Sequence, residues 1–598
     1  TPADCRRQRQ MCIRDRPSAG RALRELQMAM GTRHPPKDLR DLNAAALWRS
    51  GIHPVQTGLS GERVVCCIID YGFDFLHPSL RHADGSTRFA ALIDQNGGTH
   101  DRVAINSLIW VAEEAGRREP ADAVYDPHAN YFGSEGVTVG AHGTWVASIA
   151  AGSNRAGYTG VAPGATLIGV QLDLPDEAWR ATDLADLQGV TRAELGCAGR
   201  WRSYDESKAI IDALQSAVSA ALALGPDGIV LNLSIGAWAG SHHASAAVNR
   251  AISEIAALNE LPDGPAVFVV AGMGNSGDDR GHFSATIAPG ATRSFTWHLA
   301  HDRSGAEKLE IWSDQPISVR LRAARRLLDD RAVLLLDSTG PKQLFIDGVL
   351  VGVGERVEGP CPGLYCAHFL IMPERLPAGA GAGETIQFKL DVECLGARPG
   401  EVHAWIERDC SGRGSYLEPA HRASTLTSLA SAPGVVAVAG LDGCDHSPPR
   451  VLAMSGRGPA PWARRTGPRR TGAGIAPADA APALAAPAAG IWGACSKTKG
   501  FMRGSGTSAA TAIASGATAL AIEAAARNGA RLSRPELMTF LVGRASSSWS
   551  PEFGWGPLAF APIGHPHQSS PSRPAGHDTA PRPAAQSKPI EVEGHVAP

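Results

Sequence analysis

Residues 63–70 read RVVCCIID. Six consecutive apolar side chains stand between Arg63 and Asp70, the pattern of a strand buried on both faces that ends at an acid. Adjacent Cys66 and Cys67 must point to opposite faces of such a strand, and both read as buried thiols. Similar runs recur along the chain: ATLIGVQL (165–172), GIVLNLSI (228–235), AVFVVAG (266–272) and PGVVAVAGLDG (433–443). Between them lie helical stretches. ESKAIIDALQSAVSAALAL (206–224) has apolar residues at helical spacing and stops at Gly225-Pro226, a second helix is predicted at 244–258, and TSAATAIASGATALAIEAAARNG (507–529) is long and Ala-rich. Short buried strands alternating with helices predict an α/β fold with a mostly parallel sheet and helices on both faces.

From about 285 to 410 the pattern changes. RSFTWHL, KLEIWS, ISVRLRA, AVLLLD, QLFIDGVLVGV, YCAHFLIM, TIQFKLDVE and EVHAWIE follow one another with turn residues between them and little helical periodicity. They predict an antiparallel, jelly-roll-like β-sandwich inserted into the α/β domain. The resulting division is an N-terminal segment (1–55), a first α/β part (56–284), the β-rich insertion (285–412), a second α/β part (413–562) and a tail (563–598). The opening TPADCRRQRQMCIRDR (1–16) is basic, lacks apolar periodicity and reads as non-native, so the start of the chain says nothing about export. The tail, rich in Pro, Ser and His, reads as disordered. The Pro/Arg/Ala-rich stretch 456–489 has no assigned order.

Composition narrows the function classes. With 43% hydrophobic and 19% charged residues over 598 positions, a large core is affordable and disorder throughout is excluded. A net charge of -2, from 57 basic and 59 acidic residues, gives no electrostatic case for nucleic acid or an anionic membrane surface. No uninterrupted apolar run approaches the length of a membrane span. Cys361, Cys366, Cys394 and Cys410 fall close enough together for two disulfides in an oxidising compartment, without the paired spacing of a zinc site. His242-His243 reads as an exposed loop pair rather than a metal site.

Three short motifs carry chemistry. Asp70-Tyr71-Gly72 follows the first strand. Ala141-His142-Gly143-Thr144 opens the helical WVASIAAG, and Gly504-Ser505-Gly506-Thr507-Ser508 opens the long helix. Each alone is weak, because an Asp after a strand, a His before Gly-Thr and a Ser before a helix commonly serve as turn or cap residues. Together they supply what nucleophilic acyl transfer needs: an alcohol, a base to take its proton and a carboxylate to orient the base. A Ser at a helix N-terminus also meets backbone N–H groups and a positive dipole end where an oxyanion would form.

The chain resembles the subtilisin-like serine proteases of the subtilase family (peptidase S8). VVCCIIDYGFDFLHPSL is similar to that family's catalytic Asp region, AHGTWVASIAAG to its His region and GSGTSAATAIASG to its Ser region. YTGVAPGATLIGVQL (158–172) and PEFGWGPLAF (551–560) match further segments, so the resemblance spans about 60–280 and 425–560. It implies a serine endopeptidase acting on polypeptides, with Ser508 as nucleophile, His142 as general base and Asp70 orienting the imidazole. It further implies Asn275, in VVAGMGNSG, as the oxyanion-hole side chain. Ser234, Ile235 and Gly236, in LNLSIGAW, and Gly274 would be substrate-binding, and the enzyme would be secreted or envelope-associated. The runner-up is a catalytically impaired pseudoprotease or binding scaffold of the same fold. An α/β-hydrolase esterase fails because its Ser comes first, in a G-x-S-x-G elbow.

Three departures matter. Ala512 stands four residues after Ser508 where the family usually has Pro. Tyr71 follows the catalytic Asp where Ser or Thr is common, and its ring is expected at the cleft edge. His77-Pro78-Ser79-Leu80 lacks the carboxylate of the family's common calcium site, so no cofactor is implied and calcium is not supported. The β-rich insertion is read as a stabilising or spacing module, with substrate or partner docking as the functional alternative.

Overall fold

The computed structural model describes most of residues 58–124, 142–172, 207–299, 307–462 and 481–560. Segment 1–55, tail 563–598, stretch 463–480, Ala141 and Cys410 lie outside the described residues. The first α/β part contributes β1 (Val64–Asp70), β2 (Phe89–Asp94), β3 (Gly98–Asp101), β4 (Thr166–Gln171), β5 (Gly228–Leu233) and β6 (Ala266–Gly272). Its helices are α1 (Arg102–Glu114), α2 (Glu119–Val124), α3 (His142–Ala151), α4 (Lys208–Leu222) and α5 (Ala247–Ala257).

An antiparallel series follows: β7 (His282–Ile287), β8 (Thr292–Leu299), β9 (Glu307–Ser313), β10 (Ile317–Ala323), β11 (Val333–Leu336) and β12 (Gly340–Ile346). It continues with β13 (Val349–Glu358), β14 (Tyr365–Ile371), β15 (Ile386–Cys394), β16 (Gly400–Ile406) and β17 (Tyr416–Glu418). The chain then returns to α/β style with β18 (Val435–Leu441), β19 (Leu484–Pro487), β20 (Ile491–Ala494), β21 (Phe501–Gly504), α6 (Thr507–Arg527) and α7 (Arg534–Val542).

Among the described residues, eight strands form the main sheet in the order β19-β18-β6-β5-β1-β4-β2-β3. All neighbours run parallel except β3, which turns back along β2. The first strand lies between β4 and β5 and all seven of its residues are buried, which explains its unbroken apolar run. It is also where the order reverses: the chain goes out through β2 and β4 on one side and through β5, β6 and β18 on the other. In open parallel sheets the carboxyl ends at such a point leave a crevice. Asp70 is the last residue of that strand.

Two helices cross this region. α3 is buried over its full length, and so is α6 from Thr507 to Ala525. The length and composition of α6 would suit a membrane crossing, but 94% of its apolar window is inside the protein. Its apolar character serves packing. Small residues let the two helices approach closely: a Cβ at Gly516 would lie 2.7 Å from the Ala150 carbonyl oxygen and 2.5 Å from Val161 Cβ.

Among the described residues, the β-rich part forms two antiparallel sheets, β11-β10-β15-β8-β17 and β12-β13-β14-β9-β16-β7, sharing one apolar core. Strand β10 shows why the alternating sequence folds this way: Ile317, Val319 and Leu321 are fully buried while Arg320 points out. Several details differ from the sequence expectation. QLFIDGVLVGV is two strands rather than one, turning at Gly348 with φ +79°. That φ is cheap for glycine, and Asp-Gly between apolar runs is a hairpin signal. His282–Ile287, Tyr416–Glu418 and the hairpin of β20 with β21 are additional strands. Cys361, Cys366 and Cys394 carry thiols rather than disulfides, with Cys361 Sγ donating to Ser241 Oγ and Cys394 Sγ to the Arg398 carbonyl.

His242 corrects a further expectation. It is 1% exposed, not a solvated loop residue. Its ring stacks on Trp405 of the sandwich at 4.1 Å, and both ring nitrogens lie 3.1 Å from carbonyls, those of Gly240 and Leu426. Tyr71 is likewise buried, and its ring packs in the main core.

Candidate active site

The site is built at the carboxyl ends of β1, β5 and β6. Asp70 is fully buried, and its Oδ1 accepts hydrogen bonds from the Tyr71 backbone N–H (2.7 Å) and from His142 Nδ1 (2.6 Å). The loop after Asp70 and the start of α3 are stitched together to make that contact. Gly143 N–H donates to the Tyr71 carbonyl and Thr144 N–H to the Gly72 carbonyl. Thr144 Oγ1 donates to Gly72 and accepts from Asp74 N–H. Any side chain at 143 would lie 2.9 Å from both the Tyr71 and Gly72 carbonyl oxygens. The Gly and Thr of the His-Gly-Thr motif are thus required by the approach of the loop, and His142 is held as a consequence.

A carboxylate can only accept, so the imidazole places its proton on Nδ1 in the neutral state. The basic lone pair is then on Nε2.

Ser508 is the second residue of α6 and is buried. Its Oγ donates to the Ser234 carbonyl at 3.2 Å. A hydroxyl has one proton, so in this conformation it is directed at the Ser234 carbonyl and not at the imidazole. Ser234 Oγ lies 2.9 Å from Asn232 Oδ1 and 3.3 Å from the Ser508 carbonyl, tying the end of β5 to the start of α6. Both α3 and α6 begin at the carboxyl-end edge of the sheet, His142 on Asp70 and Ser508 on Ser234. Gly516 and Ala150, each eight residues further along, are in contact. His142 and Ser508 thus both open helices at the same edge of the sheet.

Asn275 follows β6, beyond Gly274 at φ +87°. Its Oδ1 accepts from the Thr507 backbone N–H (2.8 Å) and from Thr507 Oγ1 (3.1 Å). A backbone N–H can only donate, which fixes the amide orientation: the carbonyl end faces Thr507 and the NH₂ end is turned the other way. Thr507 Oγ1 also accepts from Gly274 N–H at 3.1 Å. One threonine therefore sets both the amide and the backbone leading to it. Sequence reasoning assigned Thr507 only to the motif, since its partners lie more than 230 positions away.

The four residues expected to bind substrate follow β5 and β6. Ser234 and Ile235 are buried, Gly236 is partly exposed, and Gly274 packs against Trp238 and Thr427. His77-Pro78-Ser79-Leu80 forms a single 3-10 turn in which His77 Nδ1 accepts from Ser79 N–H. Lacking a carboxylate, that stretch does not fit a calcium ion.

Comparisons with known proteins bear on the family and the fold. The model of the Subtilase family matches residues 61–333 and 408–556, most of the chain. The chain belongs to the subtilase family, a family of serine peptidases with polypeptide substrates. No curated protein matches. Among solved structures, the Clostridium perfringens CspB protease is similar with a TM-score of 0.60 at 20% identity, covering 87% of this chain and 95% of that one. Sphericase gives a TM-score of 0.35 at 17% identity, covering 84% of this chain and 92% of its own. The first supports the fold, and the second is too distant to add to it.

Proposed function

We propose that the chain is a serine endopeptidase that hydrolyses polypeptide backbones through an acyl-enzyme on Ser508. The observation that carries this reading is the buried 2.6 Å hydrogen bond between His142 Nδ1 and Asp70. It leaves Nε2 as the base at the edge where Ser508 opens a helix.

In the first half of the reaction Ser508 Oγ bonds to the scissile carbonyl carbon, and its proton passes to His142 Nε2. The C–N bond breaks as that proton moves on to the leaving amine. Water then gives a proton to His142 and attacks the acyl carbon, and Ser508 leaves with its proton restored. Asp70 stays ionised throughout and stabilises the imidazolium. Negative charge on the carbonyl oxygen would be met by the Ser508 backbone N–H and by the NH₂ end of Asn275, fixed in advance by Thr507. Before attack, the Ser508 hydroxyl has to leave Ser234 and turn to the imidazole, a rotation about one bond. Catalytic hydrogen bonds of this kind often tighten only when substrate is bound.

The test is covalent labelling with a fluorophosphonate probe. Wild type is expected to label at Ser508, with labelling lost in Ser508→Ala and strongly slowed in His142→Ala. A correctly folded wild type that neither labels nor cleaves would leave a binding scaffold of the same fold as the better reading.

A further inference from the structure

We infer that Trp238 fills the specificity pocket beside Ser508, so that the residue on the acyl side of the scissile bond must be small, and that Glu407 of the β-rich insertion holds it there. The inference rests on the peptidase reading above.

Two glycine-bearing segments flank the nucleophile. One is Ser234–Gly236, whose Ser234 carbonyl accepts from Ser508 Oγ, and the other is Gly274–Asn275, tied to Thr507. A substrate carbonyl lying between Ser508 and Asn275 would carry its side chain into the gap between these segments. That gap already holds an indole. A Cβ at Gly236 would lie 2.6 Å from Trp238 Cη2, and a Cβ at Gly274 would lie 2.8 Å from Trp238 Nε1. The absent side chains of both walls are thus replaced by one ring, 4% exposed. Space of this kind admits hydrogen, methyl or hydroxymethyl and rejects branched or aromatic groups.

Among the described residues, Trp238 Nε1 is buried and meets no acceptor.

The backbone of the same residue is clamped from another part of the chain. Glu407 Oε1 accepts from Trp238 N–H and Oε2 from Ala239 N–H, both at 3.0 Å. Glu407 is 3% exposed and directly follows β16 of the sandwich, in a stretch the family model does not match. Ser428 N–H holds the Ala237 carbonyl at 2.7 Å from the other side. Two carboxylate oxygens on two successive N–H groups fix the orientation of the segment that carries the indole, which makes Glu407 a positioning residue.

The experiment digests a random peptide library with the full chain, maps cleavages by mass spectrometry, and measures kcat/KM for matched peptides with Ala or Phe on the acyl side. Fluorophosphonate labelling runs in parallel. Wild type should favour Gly, Ala and Ser, with an Ala/Phe ratio on the order of tenfold or more. Trp238→Gly should lower that ratio at least tenfold, and Trp238→Phe, a milder change to packing, should lower it in the same direction. Glu407→Gln, which keeps size but one acceptor only, should also lower the ratio. A ratio is read within each variant, so a general loss of stability or rate does not mimic it. Wild type that labels yet cleaves equally well after Phe overturns the inference and leaves the peptidase reading intact. Glu407→Gln with an unchanged ratio overturns the positioning role. Absence of both labelling and cleavage overturns the inference together with the reading it rests on.

Discussion

His142 and Asp70 stand 72 positions apart in the chain, and their side chains meet at 2.6 Å inside the protein. Neither residue is placed by its own preferences. Asp70 is the last residue of the most enclosed strand of the sheet, and His142 begins a helix that the Gly143 and Thr144 bonds pull onto the loop after that strand.

Asp70→Asn tests what the carboxylate supplies. The amide oxygen can still accept from Tyr71 N–H, so the loop has a replacement partner and the fold should survive. An amide carries no charge to stabilise an imidazolium, and it can donate to Nδ1 and so trap the wrong tautomer. The expected loss in kcat is on the order of 10⁴, with thermal unfolding shifted by only a few degrees. A fall of less than tenfold in kcat would show that Asp70 is a turn residue and nothing more.

Thr507→Val separates the positioning of Asn275 from the amide itself. Valine keeps the branched shape and the backbone bond to Asn275 Oδ1, but removes the Oγ1 bonds to Asn275 and from Gly274 N–H. The amide would be held by one bond instead of two. We expect kcat to fall about tenfold with KM nearly unchanged, against about 10²–10³ for Asn275→Ala, where the donor is gone. Stability should also fall by about 1–3 kcal/mol, because the Gly274 N–H is buried and loses its acceptor. A KM effect with kcat intact would assign Thr507 to substrate binding instead.

What could be read from the sequence follows from how local each signal is. Asp70, His142 and Ser508 each sit in a short motif whose neighbours serve the same loop or helix start, so the type and order of residues were enough to pick them out. The parallel sheet was legible for a similar reason, since a strand such as β1 with neighbours on both sides must be apolar throughout. Trp238, Glu407 and Thr507 were not legible as partners. Trp238 and Glu407 lie 169 positions apart, and a Glu at the end of a β-strand looks like any solvated acid until the fold buries it. His242 was misread in the same way: the Trp405 ring that covers it comes from the distant sandwich.

Gly516→Ala sets two effects against each other. In an isolated helix the change would stabilise by about 1 kcal/mol, because alanine loses less backbone entropy. Here the new methyl would lie 2.5 Å from Val161 Cβ and 2.7 Å from the Ala150 carbonyl oxygen. Backbone on α3 cannot give way as a flexible side-chain end would, and overpacking of this sort costs about 1–3 kcal/mol. The clash should win, lowering the melting temperature and spreading α3 from α6. Activity should fall too, since His142 and Ser508 begin those two helices. A variant with a raised melting temperature would mean that the helices are not in such close contact.

The histidine-rich contact between sandwich and catalytic part predicts a particular loss of stability in acid. Burial, the largest influence, pushes His242 down from 6.5 to about 4, with nearby His403 acting in the same direction. The Leu426 and Gly240 carbonyls and Glu310 oppose this without overcoming it. His282, buried against His403, His242 and His421, is also pushed well below its ordinary value, again mainly by burial. A histidine whose folded pKa is depressed is neutral in the fold and takes up its proton more readily when unfolded. Its contribution is therefore fully present above about pH 6.5 and is lost as pH falls through the window down to about 4, where the folded form of His242 protonates too. For His242 alone the loss across that window is on the order of 3 kcal/mol. Denaturant unfolding at several pH values between 7 and 4 measures the slope. His242→Gln keeps a polar side chain beside the two carbonyls but cannot titrate, so it should be less stable than wild type at pH 7 yet lose less on acidification. Identical slopes for variant and wild type would show that His242 is already solvated, contrary to its stacking under Trp405.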